Sequence, residues 1–123
     1  MKFCWATINV IDMAKSLEFY QGTLGLPLNR KMTPNSEMEI AFWGTGDTQV
    51  ELIYNAKNSV VDFGKDICLG FEVESIESVT ALLSSKNIPI HSGPFQPNAF
   101  IKFIYVRDPN GMKIQFVENI KQG

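Results

Sequence analysis

Glu51 stands between Val50 and Leu52 in the run QVELIY, a carboxylate whose two neighbours have the character of core strand residues. Successive side chains of a strand point to opposite faces, so packing Val50 and Leu52 inward turns Glu51 toward water, a cavity or a partner. A carboxylate placed in this way can act as a general base or seat a cation. Asp66 ahead of ICLGFEV and Gln115 in KIQFVE offer further oxygen donors. Facing one another across a poorly solvated cavity, Glu51 and Asp66 would repel, raising the proton affinity of one of them. Thr7, Trp5 and Trp43 add a hydroxyl and two wide aromatic faces suited to stacking on a planar or cationic ligand. The only histidine, His91, lies apart from these and reads as a surface or strand-edge residue. Cys4 and Cys68 sit in apolar strand-like runs, so we expect buried free thiols in a reducing cytoplasm.

The elements that must position these groups follow one grammar, written twice. Residues 3–11 (FCWATINVI) are rich in β-branched and aromatic side chains, and Asp12 is the N-cap candidate for a helix. Apolar residues then recur at Met13, Leu17, Tyr20 and Leu24 until Gly25 offers a stop. Strands are expected at Leu26–Met32, Met38–Trp43 and Gln49–Tyr54, the last two joined by the hairpin signal Gly44-Thr45-Gly46-Asp47. In the second half, Ile67–Val73 reads as a strand, Ser75 as an N-cap, and Ile76, Val79, Leu82 and Leu83 as the apolar face of a helix to Lys86. Strands follow at Ile88–His91, Ala99–Val106 and Met112–Glu118, with Asp108-Pro109-Asn110-Gly111 as the turn between the last two. Residues 92–98 (SGPFQPN), with two prolines, read as a loop whose Phe95 can close over a cleft as a lid.

Local matches support a duplication. Gly25-Leu26-Pro27-Leu28 parallels Asn87-Ile88-Pro89-Ile90 after each helix, and Val50-Glu51-Leu52 parallels Ile114-Gln115-Phe116 in each last strand. The reading is therefore an α+β fold of two βαβββ modules, residues 1–55 and 66–120, in a single domain of 123 residues. Strand parity gives each sheet a greasy face for its helix. The opposite face is mixed polar and aromatic, with Trp5, Thr7, Trp43, Glu51, Asp66 and Gln115 assigned to it as ligand-binding residues.

Composition narrows the function classes. Hydrophobic residues are 45%, charged residues 20% and aromatics 11%, which excludes disordered, collagen-like and coiled-coil chains. A net charge of −2 without a basic run argues against nucleic acid as a partner. No apolar stretch reaches the ~18 residues of a membrane span, and MKFCWATINV lacks the pattern of a cleaved leader, so the expectation is a cytoplasmic chain without membrane partners. Its partner is a small molecule, and it is expected to form a homodimer.

The runs NVIDMAKSLEFYQGTLGL, QVELI and RDPNGMKIQFVE together resemble the vicinal oxygen chelate superfamily, which includes glyoxalase I, extradiol dioxygenases, and fosfomycin- and bleomycin-resistance proteins. The resemblance implies that the paired modules form a cup-shaped mixed sheet with helices on its outer face. It also implies metal ligands at four positions. These fall on Trp5 and Glu51 in the first module, and on or next to Asp66 and on Gln115 in the second. An indole cannot ligate a metal and a carboxamide is a weak neutral donor, so no nickel, zinc or iron cofactor is expected. The alternative is a weakly bound hard divalent cation on Glu51, Asp66 and Gln115.

Two functions remain open. One is a binder similar to bleomycin-resistance proteins, holding a planar or cationic molecule without a transition metal. The other is a lyase or isomerase similar to glyoxalase I (lactoylglutathione lyase), with Glu51 as catalytic base and an altered oxygen-ligand metal site.

Overall fold

The computed structural model describes residues 1–121 apart from positions 45 and 47. The expected hairpin signal therefore falls partly outside the described residues, at Thr45 and Asp47. The chain is an α+β protein of two βαβββ modules, each with its own four-stranded mixed sheet. It divides into two compact units, Met1–Phe63 and Gly64–Gly123.

Unit 1 holds β1 (Trp5–Val10), α1 (Met13–Leu17), β2 (Leu28–Asn35), β3 (Met38–Trp43) and β4 (Gln49–Asn55), with strand order β1-β4-β3-β2. The pair β1–β4 is parallel, because the helix carries the chain across the sheet between β1 and β2; the remaining pairs are antiparallel. Asp12 starts α1 by accepting from the Lys15 backbone N–H at 3.0 Å. The apolar spacing suggested one helix to Leu24, but α1 passes after Leu17 into a π-helical turn, Glu18–Thr23. Its signature is the Leu24 N–H donating to the Phe19 carbonyl, five residues back, at 2.9 Å. Phe19 and Tyr20 are both buried there, edge to face with centroids 5.1 Å apart. Gly25, at φ +69°, then redirects the chain.

Unit 2 repeats the plan with β5 (Leu69–Glu72), α2 (Ile76–Ser85), β6 (Ser92–Asn98), β7 (Ile101–Arg107) and β8 (Lys113–Asn119), in the order β5-β8-β7-β6. Ser75 caps α2 by accepting from Ser78 N–H at 3.1 Å, and Glu118 Oε1 accepts from Ile76 N–H at 2.7 Å. Ile76, Val79 and Leu83 form the buried stripe of α2, and the helix packs on β7 and β8. Asn87 ends α2 at φ +59°, the counterpart of Gly25 in unit 1. Asp108 closes the β7–β8 turn by accepting from Asn110 N–H and Met112 N–H, each at 2.8 Å.

Three expectations need correction. Residues 92–98 are not a loop or a lid but the edge strand β6, where proline is tolerated because one side of the ladder needs no donor. No strand forms at residues 88–91. Cys4 and Cys68 are free but exposed, since each precedes its strand rather than lying in its buried row. Among the described residues no helix is long and apolar enough to cross a membrane.

Candidate functional site

Register decides which side chains share a face. In unit 1, Arg30 pairs with Phe42, Phe42 with Glu51, and Glu51 with Thr7, giving one row across β2, β3, β4 and β1. The core residues Ile8, Val10, Val50 and Leu52 occupy the opposite parity and are buried beneath the helix. Thr7 Oγ1 donates to Glu51 Oε1 at 2.5 Å, fixing the carboxylate in place. Trp5 shares this face, two residues before Thr7 along β1 and opposite Gln49. Its ring meets Phe42 edge to face at 5.2 Å, yet keeps 42% of its surface exposed. On the other side of Phe42 the Arg30 guanidinium rests 4.3 Å from the ring centroid. Trp5, Thr7 and Glu51 are thus brought together as expected from parity.

Trp43 is not with them. It pairs with Val50, hence shares the helix-side parity, and is completely buried, its indole N–H without a hydrogen-bond partner. It is a core residue in place of the expected ligand wall. Phe42, one position earlier, takes the aromatic place on the polar face. The parity of β3 depends on the residue count of the β3–β4 connection, which the chain's alternation alone leaves open.

In unit 2 the matching row reads Ser92, Tyr105, Gln115 and Gly70. Gln115 occupies the place of Glu51 and Gly70 that of Thr7. Gln115 Nε2 donates to the Tyr105 hydroxyl at 3.2 Å, while its Oε1 lies 3.3 Å from where a Cβ on Gly70 would stand. Gly70 thus makes room for the amide. Counting back from this row equates Trp5 with Cys68. Asp66 lies two residues further upstream, exposed, outside β5. The expectation that Asp66 continues the polar face beside Gln115 is therefore corrected, because β5 starts at Leu69 and not at Ile67. His91 is exposed, as expected, and its Nε2 lies 3.3 Å from Arg107.

These side chains do not fit a transition-metal centre. Of the four ligand positions the resemblance implies, Trp5 holds an indole, which cannot ligate, Asp66 lies outside β5, and Gln115 offers only a neutral amide oxygen. Among the described residues no three His, Cys, Asp or Glu side chains gather to hold an ion. A separate groove of about 420 Å³ lies near the β2–β3 hairpin, lined by Thr33, Glu37, Glu39 and Tyr54. Its carboxylates are already paired, Glu39 with Lys31 and Glu37 with Lys57, each at 3.3 Å.

Two duplicated βαβββ modules, each bearing a polar and aromatic sheet face opposite its helix, define a glyoxalase-type scaffold. Residues 2–116 match the model of the Glyoxalase/Bleomycin resistance protein/Dioxygenase superfamily, and the chain belongs to that superfamily. It is 30% identical to the lactoylglutathione lyase of Haemophilus influenzae, over 97% of this chain and 93% of that protein. Among solved structures, the trypanothione-dependent glyoxalase I of Leishmania major superposes with a TM-score of 0.81 at 23% identity, covering 96% of this chain and 86% of that one. TnmS3, an antibiotic-binding protein from Streptomyces, superposes with a TM-score of 0.73 at 18% identity, covering 98% and 97%.

Proposed function

We propose that this protein binds a planar, cationic small molecule on the open face of unit 1, without a transition metal. The observation that carries the reading is the half-exposed indole of Trp5, braced by Phe42 and set beside a carboxylate that Thr7 holds in place. A π face next to a fixed negative charge favours a flat cation, which gains stacking and charge attraction together. Arg30 does not oppose this, because its charge rests on the far side of Phe42. Similarity in fold to an antibiotic-binding protein supports the same class of activity.

A second reading, isomerisation of a small carbonyl compound by Glu51 as base, is favoured by relatives that carry the name lactoylglutathione lyase. It requires an electrophile to stabilise the enediolate formed on proton removal. The cation in the Glu51 row, Arg30, stands two strands away from the carboxylate, over the Phe42 ring.

Titration with aryl ammonium and amidinium ions, followed by tryptophan emission and thermal melting, tests the proposal. Binding should quench the emission of Trp5 and raise the melting temperature with occupancy, and Glu51→Gln should weaken it. A broad panel of such cations that changes neither signal would overturn it.

A further inference from the structure

Unit 2 carries a charged and aromatic face that the reading above does not use. Arg107 and Lys113 are register partners across β7 and β8, on the face of Tyr105 and Gln115. Like charges directly opposite one another destabilise a strand pair. Among the described residues neither is joined to a carboxylate in an ion pair, whereas Lys31 and Lys57 of unit 1 are paired with Glu39 and Glu37. Arg107 instead donates to the Gly111 carbonyl at 3.0 Å and lies against His91 Nε2 at 3.3 Å, neither of which is anionic. Lys113 Nζ sits 4.4 Å from the centroid of the Tyr105 ring.

The polar groups around this cation pair are mostly donors. Gln115 donates its amide N–H to the Tyr105 oxygen, which leaves the phenol proton to be donated outward. Beside Tyr105 stand Phe103 and Phe95, at 5.8 and 6.3 Å between centroids, with Phe95 44% exposed on the edge strand. Two cations without a carboxylate partner, an outward hydroxyl donor and an exposed aromatic wall match a ligand that is flat, apolar over its rings and negative at one end.

We propose that the face of unit 2 is a binding site for an aromatic carboxylate, with the ring against Phe95 and Phe103 and the anionic group on Lys113 and the Tyr105 hydroxyl. The site is formed by unit 2 residues alone and does not depend on the cation-binding reading of unit 1.

The test uses the full chain and 2-naphthoate, whose own fluorescence anisotropy reports binding, with 2-naphthamide as the uncharged control of the same shape. Naphthoate should bind, and naphthamide should bind weaker by about tenfold or more, the scale of one hydrogen-bonded charge. Lys113→Gln should lose affinity for naphthoate by about the same factor, and Lys113→Arg should recover most of it. Lys57→Gln, an equal change of charge on unit 1, should leave naphthoate affinity unaltered. Circular dichroism confirms folding, and if Lys113→Gln does not fold, Tyr105→Phe takes its place and should likewise weaken naphthoate binding, full affinity in the folded phenylalanine form overturning the proposal. Absence of naphthoate binding, equal binding of naphthamide, or full affinity in folded Lys113→Gln would each overturn the proposal.

Discussion

Thr7 and Glu51 are register partners on adjacent parallel strands, and the threonine hydroxyl donates to the carboxylate at 2.5 Å. The carboxylate thus gives up one acceptor position within the sheet and presents the rest of its acceptor capacity outward. Thr7→Val keeps the shape and removes the donor. We expect it to weaken aromatic-cation binding about three- to tenfold while changing stability by less than about 1 kcal/mol, with Thr7→Ser restoring the affinity. Calorimetric titration and urea melts of the three forms check this. A valine variant that binds like the parent would show the hydrogen bond to be incidental.

The two tryptophans should respond oppositely to truncation. Trp43 is fully buried and Trp5 is not, so Trp43→Ala should cost about 3–5 kcal/mol of stability and Trp5→Ala less than about 1. Trp43→Phe should fall well short of the alanine cost, because it removes an indole N–H that has no partner in the core. Urea denaturation of the three variants gives the ranking.

Metal content should be low. With an indole at Trp5, a neutral amide at Gln115 and no three His, Cys, Asp or Glu side chains gathered among the described residues, the purified protein should carry nickel, zinc and iron only in substoichiometric amounts, and chelation should leave its melting temperature unchanged. Elemental analysis finding one such ion per chain would contradict this.

Catalysis by the lyase reaction of the named relatives should be absent. We expect turnover of a glutathione–methylglyoxal hemithioacetal to match the uncatalysed rate with or without added nickel or zinc, since among the described residues the cation in the Glu51 row, Arg30, stands two strands from the carboxylate and Trp5 offers no metal ligand. Metal-stimulated turnover that disappears in Glu51→Gln would replace the binder reading by the enzyme.

The architecture was legible because caps and periodicity are local. Asp12 and Ser75 act as N-caps where expected, and Gly25 and Asn87 take up left-handed backbone at the matched ends of the two helices. Side-chain placement was less legible wherever it depended on register or exposure. The alternation MEIAFW does not say whether Phe42 or Trp43 faces Glu51; the pairing Phe42↔Glu51 does. Prolines 94 and 97 suggested a loop, yet an edge strand accommodates both. Of the groups on the polar faces, Trp5, Thr7, Glu51 and Gln115 were found by parity. Arg30, Tyr105 and Lys113 were missed, since their importance arises from partners in neighbouring strands.

Both tryptophans belong to the first compact unit and none to the second. Their emission is therefore a one-sided witness to unfolding. If the duplicated halves melt together, fluorescence and far-ultraviolet dichroism will trace the same denaturant curve. If they are separate cooperative blocks, the dichroism will show a transition to which the indoles are blind. An apparent two-state fluorescence curve would then describe half a protein, and an unfolding free energy taken from it would belong to unit 1 alone.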